Sequence, residues 1–404
     1  MPTSQVSPIA VLVSAILVSC ASSHPSEVTH ANTQHARPAA PRVMTGALAR
    51  WEEPRPLAPI RIALLLPLQG EWATPATAVR DGVMEARTRS GPRLEVRSYD
   101  TGASETSFLE AYRRAVHEGA RAIIGPLRME NVAVLARQGA PPVAVVALNA
   151  AAAQAPPNLY YLAPSQEDEG RSAARTAIER GARRVVALIR DDETSSRTAS
   201  AFAQELKTRG ARLVALHRLP MTSTSDRETV SKLMAAFDLQ PRDIAATDIA
   251  SRASPGAEGR SFDTILVITE SDRWPTLFAE LRRYRDADVP IYAISSGASE
   301  TDLSMAPGGV FACDMPAILE RMVSYEAPPT WSAPLAPDEP ALQRLRAVGA
   351  DSYAVASAMV EGRWSAGAVL DGETGTLTLE PGGNIGRAVP CAPMQIGTEL
   401  SHGG

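Results

Sequence analysis

The sequence lacks the usual signatures of catalysis. It has no Gly-x-x-x-x-Gly-Lys-Ser/Thr phosphate loop, no Gly-x-Gly-x-x-Gly after a strand, no His-Glu-x-x-His and no Gly-x-Ser-x-Gly. Histidine is scarce: past the first sixty residues only His117, His217 and His402 remain. A Ser–His–Asp triad needs three residues that meet, and nothing groups them here. The chain therefore does not read as an enzyme, and no cofactor or metal ligand set stands out. Aromatic residues make up only 5%, which disfavours a groove that stacks sugars or bases. The formal charge is −5, which argues against a nucleic-acid partner, since that role normally shows a basic face. There are three cysteines, Cys20, Cys313 and Cys391. No Lys or Arg precedes the first apolar run, leaving the α-amino group as its only leading charge.

What is present begins with that run, Ile9 to Val18, which is too short to span a bilayer and has the length of a signal peptide. Leu17-Val18-Ser19-Cys20 matches a bacterial lipobox, in which the Cys20 thiol takes the lipid. Residues 1–20 are thus expected to be a lipoprotein signal peptide. Ala21 after the cysteine, not Asp, resembles an outer-membrane address facing the periplasm. Residues 21–58, rich in Ser, Pro, Ala, Thr and His, read as a disordered tether. Fully extended, it reaches on the order of 100 Å. Its histidines read as solvated, not as a metal tract.

Residues 59–400 read as globular, with hydrophobic residues at 45% of the chain. Ile60 to Leu66 is an almost unbroken apolar run ended by Pro67-Leu68-Gln69-Gly70, as suits a parallel strand buried on both faces. Further strands are expected at 94–99, 122–124, 143–148, 185–190, 212–219, 262–268, 289–294 and 310–316, with helical patterns between most of them. That alternation indicates βαβ units and parallel sheets. The fold class expected is α/β, two Rossmann-like lobes joined by several crossovers: lobe 1 about 59–162 plus 317–365, lobe 2 about 165–312. Tyr160-Tyr161-Leu162 breaks the rhythm and reads as the passage into lobe 2. Ser165 is expected to cap the next helix, with Glu167 and Asp168 favouring its positive end, and Ser225 to cap another. A terminal hairpin is expected over 375–390, near the hinge, its turn supplied by Gly382-Gly383-Asn384.

Several stretches resemble known proteins. Leu66-Pro67-Leu68-Gln69-Gly70 followed by Ala78-Val79-Arg80-Asp81-Gly82 resembles the opening of type I periplasmic binding proteins. Tyr99-Asp100-Thr101-Gly102, Ile124-Gly125-Pro126-Leu127, Cys313-Asp314-Met315-Pro316, Leu345 to Tyr353 and Thr374 to Leu379 narrow the resemblance to the LpoA-type penicillin-binding-protein activators, or LppC family. The resemblance runs from about Ile60 to Met394. It implies an outer-membrane lipoprotein, lipid-anchored to the membrane, that contacts a class A penicillin-binding protein and stimulates peptidoglycan synthesis, and so takes part in cell-wall growth and cell shape. The larger members carry a helical-repeat domain before the binding-protein-like domain; here residues 21–58 occupy that place.

A ligand cleft, if one operates, would be lined by strand-end loops: Gln69, Gly70, Leu127, Asn149, Asp191, Asp192, Glu270, Ser271, Ser295 and Ser296. The second lobe's share is acidic and would suit an amine. The other reading is that these are solvated loop ends. Whether a small-molecule ligand binds stays open, and a lipid-anchored solute receptor of an ABC importer for amino acids or amides is the alternative function. Cys313 and Cys391 could pair in an oxidising compartment. Separate buried thiols are the weightier reading, because a spacing in sequence carries no distance.

Overall fold

The computed structural model describes residues 59–394, apart from 92–93, 153, 221–225, 238–261, 271–272, 285–288, 296–308 and 324–339. Cys20, the tether, Ser225, Ser271 and Ser296 lie outside the described residues.

Strand β1 (Ile60–Leu66) occupies an interior position, with β2 (Leu94–Asp100) on one side and β3 (Ala122–Ile124) on the other, both parallel to it. β4 (Ala144–Ala147) and β5 (Leu159–Tyr161) complete a five-stranded parallel sheet in the order β2-β1-β3-β4-β5. Burial on both faces explains the apolar run. Ile62, Leu64 and Leu66 face α1 (Ala73–Ser90) and α9 (Pro340–Val360), while Ala63 and Leu65 face α2 (Glu105–His117) and α3 (Met129–Gln138). Helix α2 starts at a reciprocal cap: Ser104 Oγ accepts from the Ser107 N–H, and Ser107 Oγ accepts from the Ser104 N–H.

The second sheet runs β14-β10-β9-β8-β6-β7. Its members are β6 (Arg184–Arg190), β7 (Arg212–Leu219), β8 (Thr264–Thr269), β9 (Ile291–Ser295), β10 (Val310–Cys313) and β14 (Cys391–Pro393), parallel except for β14. Helices α4 (Gln166–Glu179) and α5 (Glu193–Thr208) cover one face through Ala173, Ala177, Phe202 and Leu206. Helices α6 (Asp226–Ala235) and α7 (Trp274–Arg282) cover the other through Val230, Leu233, Trp274 and Phe278. The α/β reading with two parallel-sheet lobes agrees with this architecture.

Several local expectations change. Tyr160 and Tyr161 break the strand–helix rhythm because β5 is the edge strand beside β4. Ser165 does not cap α4; its hydroxyl donates to the Glu167 carboxylate. The terminal hairpin is a three-stranded antiparallel sheet, β11 (Val369–Gly372), β12 (Gly375–Leu379) and β13 (Ile385–Ala388). β11 alternates between exposed and half-buried positions and so has no apolar signature.

Cys313 and Cys391, for which separate thiols were the weightier reading, are joined by a disulfide. Val310 O accepts from the Met394 N–H, which places Cys313 opposite Cys391 at a position of the β10–β14 pair that exchanges no backbone hydrogen bonds. Such positions bring two chains closest, and the two Cα atoms lie 4.0 Å apart. Helix α8 (Pro316–Val323) follows β10. α9 then crosses α1 at two glycines, and Arg346 of α9 pairs with Glu85 of α1 through two nitrogens at 2.9 and 2.7 Å.

Candidate functional site

The strand-end loops expected to line a cleft are largely engaged with one another. In the first lobe Asp100, at the end of β2, accepts from the Leu68 N–H and the Gly102 N–H at 3.0 Å each and from Gln69 Nε2 at 2.8 Å. Burial alone would push this carboxyl up, yet the donors Gly102, Leu68 and Gln69 hold it below the usual carboxylate range. Gly70 turns the chain into α1 at φ +75°. Leu127 is buried behind Pro126, whose carbonyl accepts from the Leu148 N–H. Asn149 Oδ1 accepts from the Ala150 N–H. The Arg128 guanidinium lies 6.0 Å from the Trp72 ring centre.

In the second lobe the acidic loop ends are paired with arginines. Asp192 caps α5, accepting from the Ser195 N–H at 2.9 Å and the Ser195 hydroxyl at 2.8 Å. Arg190 bridges Asp192 and Glu270, and Arg218 holds Asp191 at 3.0 Å. Despite the opposing effect of burial, Asp192 and Glu270 both lie below their usual range, chiefly through Arg190. The amine site expected from Asp191, Asp192 and Glu270 therefore meets a physical obstacle. Their charge already serves arginines on neighbouring strands. Ser295 ends β9.

A cluster of buried charges lies elsewhere, where α4, β10, α9 and β13 meet. Asp168 pairs with Arg171, and Asp314 pairs with Arg344 while accepting from the Met315 N–H at 2.7 Å. Asp351 accepts from the Glu373 N–H at 2.7 Å, the Thr374 N–H at 2.9 Å and the Thr374 hydroxyl at 2.5 Å. Thr374 Oγ1 in turn accepts from Arg387 Nε at 2.8 Å. Gly372 is required beside it, since a Cβ there would lie 2.5 Å from the Asp351 oxygens. The family-like stretches thus meet in space: 345–353 touches 374–379, and 313–316 touches α9.

Burial raises Asp168 and Asp351 and lowers Arg387, each opposed by its charged or hydrogen-bonding neighbours. Glu169 is raised well above its ordinary value, first by burial and then by the Asp314 charge, with Arg344 and Arg387 opposing. Asp168, Glu169, Asp314 and Asp351 stand against Arg171, Arg344 and Arg387, so a proton on Glu169 balances the cluster. The folded protein then holds a proton that the unfolded chain releases near pH 4.5. Stability from this group is full below that value and falls as pH rises through the folded value. Glu169→Gln should remove this slope. At pH 8 it should gain on the order of 1 kcal/mol, and at pH 4.5 nothing, as read by thermal melts across that range. A loss at pH 8 would show that Glu169 is ionised against Arg344 and Arg387.

Sequence reading missed this region. Glu167 and Asp168 look like acids favouring a helix start, yet Asp168 and the adjacent Glu169 are buried where α4 packs against its neighbours, β13 and β10 among them. A groove of roughly 450 Å³ opens nearby, lined by Arg89, Pro316, Glu320, Tyr353, Asp371 and Glu373, among others. None of the strand-end loop residues lines it.

Comparison with known proteins agrees with this fold. A penicillin-binding protein activator LpoA of Serratia proteamaculans is 27% identical over 362 residues, covering 81% of this chain and 50% of its own. One from Klebsiella pneumoniae is 28% identical over 77% of this chain and 45% of its own. The chain spans about half the length of these relatives. Among solved structures, the C-domain of LpoA from Haemophilus influenzae, described as a regulator of PBP1A, superposes with a TM-score of 0.63 at 21% identity, over 83% of this chain and 97% of that one. A protein from Chromobacterium violaceum, described as a "putative branched-chain amino acid ABC transporter", superposes with a TM-score of 0.62 at 26% identity, over 83% and 100%. The family described as "LppC putative lipoprotein" matches residues 29–397. With that match spanning most of its length, and with the bilobed fold and the meeting of its motif stretches described above, the chain belongs to the LppC lipoprotein family.

Proposed function

We propose that this chain is a lipid-anchored regulator that raises peptidoglycan synthesis by touching a class A penicillin-binding protein from the periplasmic face of the outer membrane. Cys20 carries the anchor in this reading, and residues 21–58 form the tether. The single observation that carries it is the internal pairing of the strand-end loops. Gln69 is held by Asp100, Asp192 and Glu270 by Arg190, and Asp191 by Arg218. A solute trap needs such groups turned toward its ligand, whereas a contact protein can use them to stiffen its surface. The activators named among its relatives support the same reading. Among the described residues no helix is long and apolar enough to cross a membrane.

The likeness to the Chromobacterium violaceum protein favours a second reading, a receptor for amino acids. Two measurements separate them. Glycan polymerisation by a purified class A synthase should rise several-fold when the full chain is added; an unchanged rate overturns the regulator. Calorimetry against the amino acids should show no heat at micromolar protein; tight binding of one of them would favour the receptor.

A further inference from the structure

Among the described residues the chain passes between the regions of its two large sheets three times. The first passage runs from β5 to α4, the second leaves β10 at Cys313 and reaches α9 by way of α8, and the third runs from β13 to β14. In a bilobed protein these passages are where the lobes turn against each other. Here they are fastened together. The Val389 N–H of the third passage donates to Ser172 Oγ of α4 at 3.0 Å. The Cys313–Cys391 disulfide joins the second passage to the third. Asp314, next to that disulfide, pairs with Arg344 of α9. Arg387 lies between Thr374 and the charges of Asp168, Glu169 and Asp351. Turning one lobe would pull apart charges that are buried, and a buried charge separated from its partner is costly.

We propose that the three passages form a disulfide-dependent clamp: with Cys313 and Cys391 joined, the two lobes hold one relative orientation, and reduction by a dithiol frees them to turn. The inference rests on the fold and not on the regulator reading. Cys313 is buried while Cys391 is partly exposed, so an incoming thiolate reaches the Cys391 sulfur. A mixed disulfide forms there, and Cys313 leaves as a thiolate that takes up a proton. The second thiol of the reagent then closes on the first, releasing Cys391 as a thiol. Two electrons pass to the protein, and the reagent ends as its own disulfide. β14 is only three residues long, and without the bond it is held by its backbone hydrogen bonds to β10 and by the packing of Ala392 and Met394 against Val310 and Ala312. The third passage then loses its covalent anchor, leaving Val389–Ser172 and Arg387 to hold it.

The test uses the full chain with p-acetylphenylalanine in place of Arg113 on α2 and Lys207 on α5, both exposed. Nitroxides attached there report the distance between lobes by pulsed double resonance, and leave the cysteines untouched. The oxidised protein should give one narrow distribution. Dithiothreitol should widen it at least about twofold, while hydrogen exchange shows the β1 and β8 amides still protected. A distribution that is already broad before reduction, or one that reduction leaves unchanged, overturns the clamp. So does a loss of β1 and β8 protection along with the widening, because the bond then supports the fold and not the orientation. Ser172→Ala keeps the disulfide and removes one fastening; it should widen the distribution by less than reduction does, and no widening at all also overturns the proposal.

Discussion

Gly349→Leu should unfold the first lobe, at a cost of about 4 kcal/mol or more, seen as loss of soluble protein or of the cooperative melt. The reason is a close approach of two helices. A Cβ on Gly349 would lie 2.1 Å from the Val79 carbonyl oxygen, and one on Gly82 would lie 1.9 Å from the Arg346 carbonyl oxygen. The backbones of α1 and α9 therefore touch at the crossing, each helix offering a glycine to the other. Neither contact is the far end of a side chain that can swing away, so α9 would have to lift from the sheet. Ile62, Leu64 and Leu66 would then lose the cover that Val348, Tyr353, Val355 and Ala356 supply. The Arg346–Glu85 pair, partly shielded on both sides, would part as well. Gly349→Ala should give a graded loss, since one methyl still meets a carbonyl. Ala354→Leu is the control: it lies on the same helix, is only half-buried and lines the groove, so it should be tolerated. If Gly349→Leu melts like the parent, the crossing is looser than the structure draws it.

The strands were legible because parallel strands buried on both faces write themselves as apolar runs. Ile60–Leu66 and Val185–Ile189 need no other signal, and the helices between them follow from their periodicity. What was not legible is everything decided by distance between remote segments. Ser172 and Val389 are 217 positions apart and share a hydrogen bond. Asp191 and Asp192 look like acids lining a cleft until Arg218 and Arg190, placed by strand register, are seen to hold them. Asp168 follows a serine at a helix start and reads as an acid favouring the positive end of that helix, yet the packing of α4 against remote segments, β13 among them, buries it and Glu169 beside it. The stretches that marked the family, each weak alone, turn out to be neighbours: Asp351 pairs with Thr374, Asp314 with Arg344 just ahead of the 345–353 stretch, and Gly82 meets the turn of α9 that contains Gly349. Their pattern encodes contacts, and a single sequence shows the residues without the pairing.

Asp226→Ala should cost about 3–5 kcal/mol, as read by denaturant unfolding with Trp274 fluorescence. Asp226 opens α6 and is 1% exposed, and Arg273, immediately before α7, is 7% exposed. The guanidinium reaches both carboxylate oxygens, one through Nε at 3.3 Å, and donates a further bond to the Pro220 carbonyl at 2.8 Å. The pair fastens α6 to α7 over the face where Val230, Leu233, Leu277 and Phe278 pack. Removing the carboxylate leaves a buried cation that, among the described residues, keeps a neutral acceptor and a distant Glu270, 4.0 Å away. Arg273→Met should cost less, because it deletes the bulkier charge and fills part of its space with an apolar chain. The double variant discriminates between two accounts of the pair. If the cost of Asp226→Ala is mainly the stranded charge, adding Arg273→Met should recover most of it, and the coupling in a double-mutant cycle should exceed about 1 kcal/mol. If the costs simply add, the two side chains act by separate packing. Trp274 follows Arg273 directly and is almost fully buried against Phe278, so its emission should shift with the unfolding of this face and should not respond to changes confined to the first lobe.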